Sequence, residues 1–599
     1  MKNIVYFWVK QYKQLDEVNG KPVWLFDDFG VTLSSKYIIK HSWNADDGIF
    51  TIETATKCPN ANNLFDGKYY SSSIHDLKVI VGNNGAGKTS LINLLADIAS
   101  GFDSHGSLTY VVVWEDNGLK AYLHNGSTYV LDENKKPILK EDSVSFDIRA
   151  KGIDIQNKPI KECVVHFSPT YSHYWTDMSS IGEKEAVYDL TTNFLLRNDV
   201  ESFNNGVGVV KDSLVAYRLV EESKVIDFVM DFFDVQNDRG QFFLEDVLSI
   251  PPIALFFISV ENVKNGINEL AEILSDEQNN QKEIVKEWNV FFANLYEYED
   301  QLKFAMIINA VRIWKSLLLD NKKIEKEKFS IEKVRRLDAF LKEIHNYLNT
   351  PQLKKYYENV EKLFELTKEY AMVSWYSLNL HFLRIPLKNN KDRIQNIKDT
   401  IEKLSGISPF ITMQWGRPMS SGEDAYLNFY ARLYYCMKKH RNNIFEGILL
   451  LDEVEQNLHP EWQRLWFSRF NDGLKMLSKK LNVQMSLHLI MTTHSPFMLT
   501  DFSSENILTM ERKRDGKYWG KTLPEMLTSK MLAGSIYDIL GSGFFLESSI
   551  GCLVESKISE IADKIRKHDY SVEDDNFIEK IGDPVMKSIL KNRRKNGQI

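Results

Sequence analysis

A glycine-rich stretch constrains this chain more than any other part of it. The run DLKVIVGNNGAGKTSLINLLADI sets Gly82, Gly85, Gly87, Lys88 and Thr89 in the spacing G-x-x-x-x-G-K-[ST]. Leu77 to Val81 read as an apolar strand before it, and Leu91, Ile92, Leu94, Leu95 and Ile98 as the apolar stripe of a helix after it. A loop of Gly82, Asn83, Asn84, Gly85, Ala86, Gly87, Lys88, Thr89 and Ser90 between those elements can curl its backbone N–H groups around phosphates. The helix that follows points its positive end at the same anion. Lys88 is expected to reach the β- and γ-phosphates, and Thr89 to ligate Mg²⁺.

A second stretch, GILLLDEVEQNLHPEWQ, supplies acids. Four consecutive apolar residues, Ile448 to Leu451, suit a strand buried on both faces of a parallel sheet. Asp452 and Glu453 at its end are then placed for a cation and a water. Asp452 is expected to hold Mg²⁺ and Glu453 to polarise the attacking water. An apolar run ending in Asp-Glu is common on its own; paired with the loop above it becomes informative.

Further along, PMSSGEDAYLNFYARL puts Ser420, Ser421, Gly422 and Glu423 at a helix start. Ser420 and Glu423 also have the spacing of a capping box, and the two readings are compatible. LHLIMTTHSPFML gives another apolar strand ending in Thr493, His494, Ser495 and Pro496.

These motifs resemble the ABC-class ATPases, in particular the overcoming-lysogenization-defect family. The segment around Ser420 looks like their signature. Glu455, Leu458, His459 and Pro460 look like E-x-x-L-H-P, and Thr493 to Pro496 like the switch-histidine motif. The resemblance implies ATP and Mg²⁺ as cofactors, with His494 contacting the γ-phosphate and Glu453, His494 and Lys88 carrying hydrolysis. It also implies that Ser420, Ser421, Gly422 and Glu423 read the γ-phosphate held by a second subunit. Two copies would then sandwich two ATP across a two-fold interface. Tyr12-Lys13 resembles the aromatic-basic pair that ends the family's first strand, and VVHFSPTY the strand before its insertion. The glutamine of transporter-type members has no counterpart here.

The expected fold is α/β: an ABC-type ATPase head built from both chain ends, with a mostly α-helical insertion and a short helical tail. The expected divisions are 1–175, 176–405, 406–510 and 511–599. In the insertion, Thr350 reads as an N-cap and Pro351 as the first helical residue. Leu353, Tyr357, Val360, Phe364 and Thr367 form the stripe behind them. GSIYDILGSGFFLESS and IEKIGDPVMKSIL resemble the tails of PtuA-like ATPases of Septu and retron defence systems. The function this implies is an ATPase subunit of an antiphage complex that controls a separate effector nuclease. A DNA-repair or chromosome-maintenance clamp is the alternative. A transporter motor fits poorly, because the insertion is large and no coupling membrane domain is visible.

CLVESKISEIADKI looks like the opening of a TOPRIM nuclease domain with Glu555 as its metal-binding acid, but residues 556–599 are too few for the rest of it. The same residues read as an amphipathic helix with Ile550, Leu553, Val554, Ile558, Ile561 and Ile565 on one face. No nuclease activity is therefore expected in this chain. Lys587, Lys591, Arg593, Arg594 and Lys595 suit a nucleic acid or a protein partner, and more often such a run is a solvated end. The formal net charge of -8 means that any nucleic acid would need a local basic patch. Cys58, Cys163, Cys436 and Cys552 are too scattered for a zinc site or a disulfide framework. With no long apolar run and no secretory signal, a cytoplasmic protein with no membrane span is expected.

Overall fold

The computed structural model describes residues 3–18, 21–58, 72–99, 107–131, 137–170, 187–196, 213–232, 253–258, 260–274, 278–295, 297–317, 331–347, 351–367, 372–375, 380–386, 390–404, 411–415, 419–512, 518–519, 531–543, 551–569 and 571–596. At its centre lies a seven-stranded sheet. Its order is Val187–Asp189, Val164–Phe167, Ile444–Asp452, Gln484–Thr492, Ile74–Gly82, Ile507–Arg512 and Tyr518–Trp519. Every pair is parallel except the last. Side chains alternate across such a sheet. Ile80, Ile448, Leu450 and Ile490 therefore face one way, into a core shared with Leu91, Leu94 and Leu95 of the helix Lys88–Ala99. Val79, Val81, Leu449, Leu451 and Met491 face the other way. That second core is shared with the helices Ser213–Phe232, Ser421–Lys438 and Pro460–Leu481.

The helix Lys88–Ala99 is covered by a five-stranded sheet, in the order Ile153–Ile155, Leu119–His124, Tyr110–Glu115, Asn3–Val18 and Lys21–Thr32. Its first strand shows why the two faces differ. Ile4, Phe7 and Val9 join the core around the helix, while Val5, Tyr6 and Trp8 join a separate core. A register shift between Ile4 and Tyr6 lets two successive residues, Val5 and Tyr6, face the same way. The separate core is closed by a small sheet of Ser145–Ile148, Ile49–Lys57 and Tyr37–Asn44. This first strand does not end at Tyr12-Lys13, as the sequence suggested. It runs on to Val18, with Lys13 in the left-handed region at φ 57°.

A buried carboxylate ties these layers together. Asp76 accepts from the Ser34 hydroxyl at 2.5 Å, the Ser35 N–H at 3.0 Å and the Ser35 hydroxyl at 2.7 Å. His488 on the neighbouring strand meets the Leu33 carbonyl at 3.1 Å. Burial alone would push Asp76 up, but His488 and these hydrogen bonds outweigh it and hold the carboxyl below its ordinary value.

Between the two halves of the main sheet the described residues are mainly helical, and the helix Pro351–Thr367 starts on Pro351. Leu353, Tyr357, Val360 and Thr367 are buried and Phe364 packs against the core; Thr350 lies outside the described residues. The helical reading missed a four-stranded antiparallel sheet, in the order Met372–Trp375, Leu380–Pro386, Ile253–Ile258 and Ile411–Trp415.

The last three helices among the described residues, Cys552–Lys567, Val572–Lys580 and Pro584–Asn596, pack around Ile561, Ile565, Ile578 and Leu590. The expected apolar face is only half used. Leu553 is 86% exposed and Val554 41%, because the small core begins at Ile558; Ile550 lies outside the described residues. Lys587 and Lys591 pair with Glu579, and Arg594 with Asp575, so three of the basic tail residues are engaged within the tail. Among the described residues no helix is long and apolar enough to cross a membrane.

Candidate active site

The C-terminal ends of three adjacent strands carry the predicted residues. In a parallel sheet this edge is where loops and helix N-termini gather, and where ligands bind. Gly82 ends its strand at φ +148°, and a Cβ there would lie 1.8 Å from the Met510 carbonyl oxygen. At Gly87, φ is +90° and a Cβ would meet the Phe26 ring at 2.8 Å. Both positions therefore exclude any side chain. Between them Asn83, Asn84, Gly85 and Ala86 form the turn, with the Ala86 N–H on the Asn83 carbonyl at 3.2 Å. Thr89 and Ser90 lie in the first turn of the helix Lys88–Ala99.

Lys88 is buried, and its ammonium donates to the carbonyls of Gly82 and Asn83, each at 3.1 Å. Burial pulls its pKa down, while Glu453, Asp452 and Glu455 push it up; the net shift is downward. The ammonium thus lies against the carbonyls at the start of the loop.

Asp452 sits two strands along the sheet, beyond Gln484–Thr492, buried beneath three hydroxyls. Thr492 donates to Oδ1 at 2.7 Å, Thr89 to Oδ1 at 3.2 Å and Ser168 to Oδ2 at 3.4 Å. Burial raises its pKa, and the neighbouring Glu453 charge adds to this. An all-oxygen set around a carboxylate destabilised by burial suits a hard divalent cation, which would restore the charged form. Ser168 was not singled out from sequence. It follows a short strand far from Asp452 in the chain, and only the sheet order brings them together.

Glu453 holds a left-handed backbone, φ 50°, rare for a side chain of this kind and characteristic of functional turns. Its N–H is fixed by Thr492, through the hydroxyl at 3.1 Å and the carbonyl at 3.3 Å. Its carboxylate meets His494 Nε2 at 3.3 Å through Oε1 and Gln456 Nε2 at 2.5 Å through Oε2. The His494 hydrogen bond is the main reason its pKa lies below the ordinary value. Glu455, two residues on, is buried and accepts from the His494 N–H at 2.5 Å. Burial raises its pKa. His459 caps the next helix, with its Nδ1 accepting from the Glu461 N–H at 3.3 Å.

The Ser420 helix starts against the turn that follows the acids, where a Cβ on Gly422 would lie 3.0 Å from the Asn457 carbonyl oxygen. Ser420 is its N-cap and a full capping box is present. The Ser420 hydroxyl accepts from the Glu423 N–H at 3.3 Å, and the Glu423 carboxylate from the Ser420 N–H at 2.8 Å. Ser421 opens the helix. Gly422 has no room for a side chain, since a Cβ would meet Trp462 at 2.8 Å. This helix packs on the face of the main sheet opposite the helix Lys88–Ala99.

A glycine loop with a buried lysine, an acid pair two strands along the sheet and a carboxylate lined by hydroxyls match the pattern of a P-loop nucleotide site. Residues 307–500 match the model of a family described as an AAA domain, putative AbiEii toxin, Type IV TA system. The matched region holds Ser420, Asp452, Glu453 and His494; the glycine loop precedes it. The match covers residues 307–500 alone, less than half of the chain. It is also similar to the retron Vc95 probable ATPase of Vibrio cholerae serotype O1 biovar El Tor, 36% identical over 61 residues. That stretch spans 10% of this chain and 10% of the relative.

Proposed function

We propose that this protein hydrolyses ATP as the ABC-like head of an antiphage defence complex, and that nucleotide-dependent pairing of two heads controls a separate effector, a nuclease. The observation that carries the ATPase reading is the convergence of Lys88, Thr89, Asp452, Glu453 and His494 on one edge of the sheet. Lys88 leaves the loop carbonyls for the β- and γ-phosphates. Thr89 and Asp452 hold Mg²⁺, which neutralises charge on the phosphates when bound. Glu453 orients the attacking water and takes its proton, and His494 steadies the γ-phosphate.

The pairing is supported by the placement of the Ser420 helix. Its start and the glycine loop belong to helices on opposite faces of one sheet, so a second copy is the natural source of the signature for each loop. The similarity to a retron ATPase supports the defence role and, with it, a partner protein. The expected divisions of the chain make the region between the two halves of the head, together with the tail, the surfaces for that partner. The direct test is ATP hydrolysis by the purified chain: it should depend on Mg²⁺ and on Lys88, and its absence would remove the reading. Copurification of a nuclease with the native protein tests the defence role; recovery of the chain alone, on DNA, would favour the clamp.

A further inference from the structure

We propose that Glu455 is a positioning residue that sets the switch histidine, a reading that rests on the ATPase assignment of the site. His494 lies beyond the last residue of the strand Gln484–Thr492, so its N–H has left the ladder of the sheet. A backbone donor at that point needs a partner from elsewhere. Glu455 supplies it, through Oε1 at 2.5 Å. The same turn supplies Glu453, whose Oε1 meets the imidazole Nε2 at 3.3 Å. One turn therefore grips His494 at both ends, its backbone through Glu455 and its ring through Glu453.

The chemistry of Glu455 is unusual for a mere spacer. Its side chain is 5% exposed, and besides the His494 N–H its own N–H and the Thr493 hydroxyl favour its charged form. A charged acceptor gives a shorter and stronger bond to an N–H than a neutral one, and that is the bond the site retains. The neighbouring turn is stitched independently, because the Ser495 hydroxyl donates to Gln463 at 2.7 Å. Glu455 thus sets where His494 begins, and the Ser495–Gln463 contact sets where the segment after it goes.

The test is a double-mutant cycle on the full chain. Glu455→Ala should lower kcat by up to ~10²-fold, the scale of a misplacement near 1 Å, while KM for ATP stays within about twofold. Glu455→Gln keeps an acceptor and should recover most of the rate. In a His494→Ala background Glu455→Ala should add nothing, because it acts through that histidine. Hydrogen exchange over residues 493–499 gives a readout that needs no turnover. It should speed up in Glu455→Ala and stay near wild type in Glu455→Gln. Independent, multiplying effects of the two substitutions would overturn the proposal, and so would unchanged exchange in Glu455→Ala. If wild-type protein shows no hydrolysis that Lys88→Ala removes, the ATPase reading falls, and exchange alone still decides whether Glu455 anchors His494.

Discussion

His494 Nε2 stands 3.3 Å from Glu453 Oε1, while Gln456 Nε2 takes Oε2 at 2.5 Å. Both oxygens of the proposed base are therefore engaged. For Glu453 to receive a proton from water, one of these contacts must give way. The His494 contact is the one a γ-phosphate would draw off, so substrate itself frees the base. Glu453→Gln keeps the shape and one of the two acceptor oxygens, and removes the proton acceptor. ATP binding should persist while hydrolysis falls ~10²–10⁴-fold. ATP should then hold pairs of chains together, as sedimentation would show. Hydrolysis at the wild-type rate would rule Glu453 out.

Lys88→Ala removes an ammonium already seated beside Gly82 and Asn83. ATP affinity should drop strongly and hydrolysis should vanish, while the thermal midpoint changes little. Equilibrium dialysis showing unchanged affinity would contradict the assignment of the loop.

Ser420→Asp is a clean probe of site sharing. Aspartate is as good an N-cap as serine, so the helix should stay intact. The added charge would face a phosphate held by the other copy. The single variant should bind ATP and fail to hydrolyse it. Mixing it with Lys88→Ala protein should restore one working site per mixed pair. No recovery, with mixed pairs shown to form, would count against sharing.

His166 offers a test of acid sensitivity. Its ring is wholly buried, neither nitrogen has a hydrogen-bond partner among the described residues, and burial pulls its pKa down to about 4. The unfolded chain takes up a proton near pH 6.5 and the folded one does not, so stability should fall as pH drops from 6.5 to 4. The full loss is about 3 kcal/mol. Its register neighbour Asp189 works the other way: burial raises it to about 6, so its contribution is present at low pH and lost as pH rises through 6. Comparing wild type with His166→Leu isolates the histidine. The variant's thermal midpoint should fall less between pH 7.5 and pH 4.5; equal falls would refute the assignment.

The parts of this site that were legible in sequence are those written in short range. The glycine loop needs three backbone conformations within a few residues, and the capping box needs one pair at i and i+3. The acidic strand shows itself because a run buried on both faces must be apolar throughout. What stayed hidden depends on sheet order. Ser168 meets Asp452 only because two distant strands are neighbours, and Glu455 meets His494 for the same reason. The strand Ile253–Ile258 was missed because a short apolar run inside helical sequence does not declare its period. Leu553 and Val554 sit at helical spacing with the buried Ile561 and Ile565, yet only packing decides how far along a stripe the core extends.

The strand Ile74–Gly82 has two neighbours, Gln484–Thr492 and Ile507–Arg512, and both come from the far end of the chain. During synthesis the glycine loop leaves the ribosome with neither flank of its strand paired. At roughly 5–20 residues per second, it waits on the order of twenty seconds to over a minute. Throughout that interval the strand edges are open to any other unpaired backbone, the condition under which nascent chains misassociate. Translation thus acts as a timer on this molecule: a truncated product carries the loop but not the acids, the histidine or the second half of the sheet, and so has no completed nucleotide pocket to misfire.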